Sequence, residues 1–87
     1  MVTGTTQSGF NYEVEDEVLD DYELLELLNK ADEGEGGAML KVAERLLGEK
    51  QKEALKNHVR NEKGKVSAKR MIEEVFEILK SQKKGKN

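Results

Sequence analysis

From Met71 to Leu79 the apolar residues fall at 71, 72, 75, 76, 78 and 79, the spacing of one broad face of an α-helix. Glu73, Glu74 and Glu77 take the opposite face. Lys80 comes late, where the helix dipole favours a cation. Ser67 stands where an N-cap belongs, with Val66 and Met71 at the N′ and N4 positions of a hydrophobic staple. Arg70 occupies N3, where a capping box would carry an acid. The chain of 87 residues has no cysteine, so disulfides, thiolate zinc sites and thiol chemistry are excluded. A chain this short, without staples, must hold itself together by packing such helical stripes against one another.

The remaining segments fit that demand. Asp20 is placed as an N-cap, with Glu23 three residues on as its capping-box partner and Leu19 and Leu24 as a staple. Tyr22, Leu24, Leu25, Leu27 and Leu28 then cover more than one helix face. Residues 32–37, Asp-Glu-Gly-Glu-Gly-Gly, read as a flexible acidic loop. A second helix is expected over about 38–47, with Gly48 as its C′ stop, and a third over about 49–61. Residues 62–65 form a turn before the helix that Ser67 opens. Phe10-Asn11-Tyr12-Glu13-Val14 alternates apolar and polar, the period of a half-buried strand. One short strand cannot stand alone, so it is expected as an arm across the helices or paired with the same segment of another copy. The fold expected is all-α, a small bundle of about four short helices. Residues 1–9 are read as disordered, 10–80 as a single helical domain, and 81–87 as a frayed basic tail.

Composition bounds the function. Hydrophobic residues make up 36% and charged residues 38%, and mean hydropathy is −0.78. No run of about 18 apolar residues occurs, which excludes a membrane-spanning helix. Residues 1–10 carry neither a basic residue nor an apolar core, so they are not read as a secretory signal. Residues 1–36 hold 11 acids and one base, a charge of −10; residues 37–87 hold 7 acids and 14 bases, a charge of +7. The two halves can attract each other within the fold or attract a charged partner.

Material for catalysis is scarce. His58 is the single histidine, and only Glu62 shares its helix face, so no metal site or general base is assigned. The pairs Asp16-Glu17, Asp20-Asp21 and Asp32-Glu33 serve capping and solubility, and they lack the spacing and central glycine of a calcium loop. The glycine-rich stretch 33–37 contains two acids and no Lys, Ser or Thr, so it is not a phosphate loop. Arg45, Lys50, Lys52, Lys56 and Arg60 around the Gly48 turn imitate a helix-turn-helix, but no helix opens with the Arg, Asn and Gln residues that read bases. Nucleic acid is therefore disfavoured as a partner, and no catalytic, cofactor-binding or metal-binding residue is assigned. The richest feature is the apolar stripes. Tyr22, Leu25 and Leu28 form one ridge and Phe76 and Leu79 another, either of which can meet a partner helix.

Several stretches together resemble the small tail assembly chaperones of long-tailed bacteriophages and prophages. They are Asp20-Asp21-Tyr22-Glu23-Leu24-Leu25-Glu26, the acidic loop at Asp32-Glu33-Gly34, Leu46-Leu47-Gly48-Glu49-Lys50-Gln51, Ala54-Leu55-Lys56-Asn57-His58-Val59-Arg60 and Gly64-Lys65-Val66-Ser67. The resemblance covers about residues 20–79; Tyr22 departs from it, a tryptophan being more usual there, and so does the basic tail. It implies a non-enzymatic helper in the host bacterial cytoplasm, without cofactor. Such a protein binds the long helical tape measure protein, or another helical protein, through apolar helix faces, with self-association as a further option. The competing readings are a small prophage DNA-binding transcriptional regulator and an adaptor or antitoxin-like interaction module.

Overall fold

The computed structural model describes residues 1–84. Its elements, in chain order, are β1 (Val2–Thr5), β2 (Asn11–Val14), a 3₁₀ turn (Val18–Asp20), α1 (Tyr22–Asp32), α2 (Gly36–Val59) and α3 (Ala68–Lys84). The chain is mostly helical, but it is not purely all-α, because the first 14 residues make a β-hairpin.

Residues 1–9, expected to be disordered, supply the strand that the alternating segment needed. β1 and β2 pair antiparallel in the register Val2↔Val14, Thr3↔Glu13, Gly4↔Tyr12 and Thr5↔Asn11. Their turn closes with Gly9 N–H donating to the Thr6 carbonyl at 2.9 Å and Thr6 N–H to the Phe10 carbonyl at 2.9 Å. Gly9 takes φ 97°, the left-handed position of a type I turn with a G1 bulge. The Thr6 hydroxyl oxygen also accepts from Phe10 N–H at 3.1 Å. Phe10, Tyr12 and Val14 face the core, while Asn11 and Glu13 face out, as the alternation required.

α1 is capped one residue later than expected. Asp20 ends the 3₁₀ turn, and the Asp21 side chain accepts from Glu23 N–H and Leu24 N–H at 3.0 and 3.3 Å. With Asp21 as the cap, N′ and N4 fall on Asp20 and Leu25, so Leu19 and Leu24 do not form the expected staple. The acidic loop is much tighter than a flexible 32–37 segment. Gly34, at φ 98°, donates to the Ala31 carbonyl, and Glu35 N–H donates to Lys30. These two bonds form a Schellman motif that turns the chain straight into α2.

There are three helices rather than about four. The segments expected on either side of Gly48 run as one element, α2, broken at Gly48 by φ 79° and ψ 164°. That backbone region is open essentially to glycine alone. It bends the helix, so that Val42, Leu46 and Leu47 before it and Leu55 and Val59 after it enter one core. α3 begins where the sequence placed it, the Ser67 hydroxyl accepting from Arg70 N–H at 3.1 Å. Val75, Ile78 and Leu79 are buried, but Ile72 and Phe76 are 38% and 41% exposed, so the apolar stripe is wider than the core it feeds. Glu74, expected on the polar face, is only 7% exposed.

The hairpin explains Glu74. Its turn lies over the end of α2 and the middle of α3, where the Ser8 hydroxyl donates to Glu74 Oε2 at 2.8 Å and meets His58 Nε2 at 3.0 Å. Gln7 N–H donates to Glu77 Oε2 at 2.7 Å. Along β2, the Gln51 amide accepts from Glu13 N–H and donates to the Glu13 carbonyl, both at 2.7 Å, as a neighbouring strand would. Tyr12 Oη bonds Ser81 Oγ at 2.8 Å. Ser81 to Lys84 therefore belong to α3 rather than to a frayed tail. Residues 85–87 of the expected tail lie outside the described residues.

Candidate functional site

Beside the Gly48 bend, α2 and the first turns of α3 diverge and leave a groove of about 520 Å³. Met39, Leu40 and Ala43 line one wall and Val66, Met71 and Ile72 the other. Val75 is part of the same lining and is 1% exposed, so the groove opens onto the core. Leu40 is 74% exposed and stands at the lip. Phe76 lies one helical turn beyond Ile72 on the same face of α3 and prolongs the apolar rim.

The local sequence explains why this surface stays open. Leu40 lies just outside the buried face of α2, beyond the Ala43-Leu47 row, where no other part of the fold packs on it. Among the described residues, the groove is lined by α2, α3 and the turn that leads into α3. Two methionines in its walls give a surface that can repack around different shapes.

The rim carries three lysines, two of them in ion pairs. Lys41, Lys52 and Lys56 border the groove, with Glu44 as the single acid. Lys52 is shared by Glu49 and Glu44 at 3.0 and 3.2 Å. These bonds hold its ammonium pKa above the usual lysine value, and the Lys52 bond in turn holds the Glu44 carboxyl below its own. Lys56 pairs with Glu53 at 3.2 Å. Lys41 has no ion pair among the described residues.

The partner-binding residues expected from the sequence are placed apart. Tyr22 and Leu25 are 71% and 58% exposed on the outer face of α1, and neither lines the groove. Leu28 packs against the core, and Leu79 is part of it. Of the two ridges, the outward-facing members are thus Tyr22, Leu25 and Phe76. The groove was not legible in the sequence, because helical spacing alone does not separate Leu40 from its buried neighbours on α2. What signal the chain holds is that Leu40 lies at the edge of the apolar face of α2 and is followed directly by Lys41.

Ser8, His58 and Glu74 bring together the residue types of a hydrolytic triad in a different order. In a triad the histidine stands between hydroxyl and carboxylate. Here the serine stands between them and donates to the carboxylate, so its proton is not directed at a base. The arrangement is a latch for the hairpin turn. Among the described residues, no group of three His, Asp or Glu side chains is placed to hold a metal ion, and no helix is long and apolar enough to cross a membrane. No protein-family model, curated protein or solved structure matches the chain.

Proposed function

We propose that the protein is a non-enzymatic helix-binding module, of the kind a phage tail assembly chaperone represents. Its groove between α2 and α3 takes an amphipathic helix of a longer helical protein, the tape measure protein in the phage setting. The observation that carries this reading is the open apolar trough with Leu40 at its lip and lysines on its rim. A helix laid along it would bury an i, i+3, i+4, i+7 stripe against Met39, Leu40, Met71 and Ile72. Acidic flanks on that helix would meet Lys41, Lys52 and Lys56. A client that exposes apolar helix faces until it is assembled gains solubility from such a cover, and the charged outer surface of this chain supplies it.

The test is fluorescence anisotropy with a labelled synthetic helix carrying a leucine stripe flanked by glutamates. Saturable binding that falls at least tenfold in a Leu40→Asp variant supports the reading. Equal binding by the variant, or none by the wild type, removes it. Co-expression with a long helical protein encoded beside this one then tests the phage setting. The client should be soluble with wild-type protein and insoluble with Leu40→Asp.

A further inference from the structure

Helix α1 has the chemistry that the groove selects. Its outward stripe reads Tyr22, Leu25, Glu26, Asn29 and Asp32, positions that fall on one side of the helix, and the C-cap residue Glu33 follows it. Tyr22 and Leu25 are the two most exposed apolar side chains on α1, one turn apart, and the stripe that continues from them holds, with its C-cap, three acids and no cation. The 11 residues of α1 are about 16 Å long. The groove offers the complement: an exposed apolar lip at Leu40 and Ile72, and a rim on which Lys52 and Lys56 are shared with Glu44, Glu49 and Glu53 while Lys41 has no ion pair among the described residues.

We propose that α1 of a second copy docks in the α2–α3 groove through Tyr22 and Leu25, its carboxylates facing the lysine rim. The proposal rests on the groove being a helix-binding site and names one occupant of it. α1 and the groove are separate patches on one molecule, so the contact is heterologous. Each copy presents both a free outer face of α1 and a free groove, and association continues into open chains or closes into rings. Charge selects this arrangement. Residues 1–36 carry −10 and residues 37–87 carry +7, so head-to-tail contact joins opposite signs, while groove-to-groove contact joins like signs. An external helix and a second copy then compete for one site, and a client that binds more tightly disassembles the chain of copies.

The experiment is light scattering over a protein concentration series, with Leu25→Asp and Leu40→Asp variants alone and mixed. Both leucines are exposed, and circular dichroism confirms that the variants fold. Should Leu40→Asp fail to fold, Lys41→Glu on the rim replaces it. The wild type should grow in mass with concentration, and less so as salt is raised. Each variant alone should stay monomeric. Their equimolar mixture should form a 1:1 dimer and nothing larger, because only one competent α1 and one competent groove remain to meet. Wild-type protein that stays monomeric while the labelled acidic helix binds overturns this inference and leaves the groove reading standing. Monomer with no helix binding removes both. Association that survives Leu40→Asp, or a mixture that stays monomeric, also overturns it.

Discussion

Asp21 and Arg45 form a forked pair, Nε to Oδ2 at 2.6 Å and Nη2 to Oδ1 at 3.2 Å, that ties the cap of α1 to the middle of α2. Asp21 accepts two backbone N–H groups at the same time, and Glu23 adds a second carboxylate to Arg45 at 2.9 Å. The Arg45 bond is the main reason that the Asp21 carboxyl lies below its ordinary pKa, with the cap bonds from Leu24 and Glu23 adding to it.

A depressed carboxylate stabilises the fold above its unfolded pKa, and that contribution is lost as pH falls through the folded value. Stability from Asp21 should therefore be complete above about pH 4 and decline below it. Glu44, held down by Lys52, adds in the same direction. Urea midpoints measured between pH 5 and pH 3 (roughly the span around free carboxylates) should fall less steeply in Asp21→Asn than in wild type. Asparagine keeps the cap but has no charge to lose. An unchanged slope would mean that the pair is not formed in solution.

Removing core and rim residues of α3 should separate two groups that share one stripe. Ile78→Ala and Leu79→Ala should each cost about 2–5 kcal/mol, because both side chains are buried. Ile72→Ala and Phe76→Ala should cost about 1 kcal/mol or less, since each is near 40% exposed. Chemical denaturation of the four variants checks this. Equal losses would place Ile72 and Phe76 in the core and close the groove.

Gly48→Ala should destabilise by about 1–3 kcal/mol. An added Cβ meets nothing within 4 Å, so the cost is backbone conformation alone. Alanine favours a straight helix, which would draw Leu55 and Val59 away from Val75 and Ile78. The signature is a lower melting temperature with unchanged or higher helical ellipticity. A neutral effect would show that the bend is not required.

Ser8→Ala should cost about 1–3 kcal/mol, because it takes the hydroxyl from a buried carboxylate whose Oε1 already lacks a partner. Hydrogen exchange at Gln7 and Thr6 should speed up more than exchange in α1. Uniform acceleration across the chain would assign the hairpin to the global folding unit instead of to a latch.

Gln51→Glu keeps an acceptor for Glu13 N–H but loses the donor to the Glu13 carbonyl and sets two negative side chains beside β2. Faster exchange of the Glu13 amide, with β1–β2 amides following, is the expected outcome. Protection equal to wild type would show that the side chain does not act as a strand partner.

The helices and their ends were legible in the chain because their causes are local. The Ser67 cap, the stripe from Met71 to Leu79 and the break at Gly48 depend on neighbours within about four residues, and each is found where spacing and side-chain chemistry put it, although the break bends one helix instead of ending it. Asp21 took the cap from Asp20 because Arg45, 24 residues away, can reach it. The same limit hid the hairpin. Val2-Thr3-Gly4-Thr5 has little to hold it alone, and Gly4 reads as disorder until Tyr12 lies across it, close enough to leave no room for a Cβ. Its anchors, Glu74, Glu77 and Ser81, stand 66 to 70 residues away. Whether an apolar side chain is core or surface was likewise undecided by periodicity. Val75 and Ile72 belong to one stripe, yet the first is buried and the second borders the groove. A helix presents more apolar surface than its neighbours cover, and only the angle set at Gly48 decides which part of it remains open.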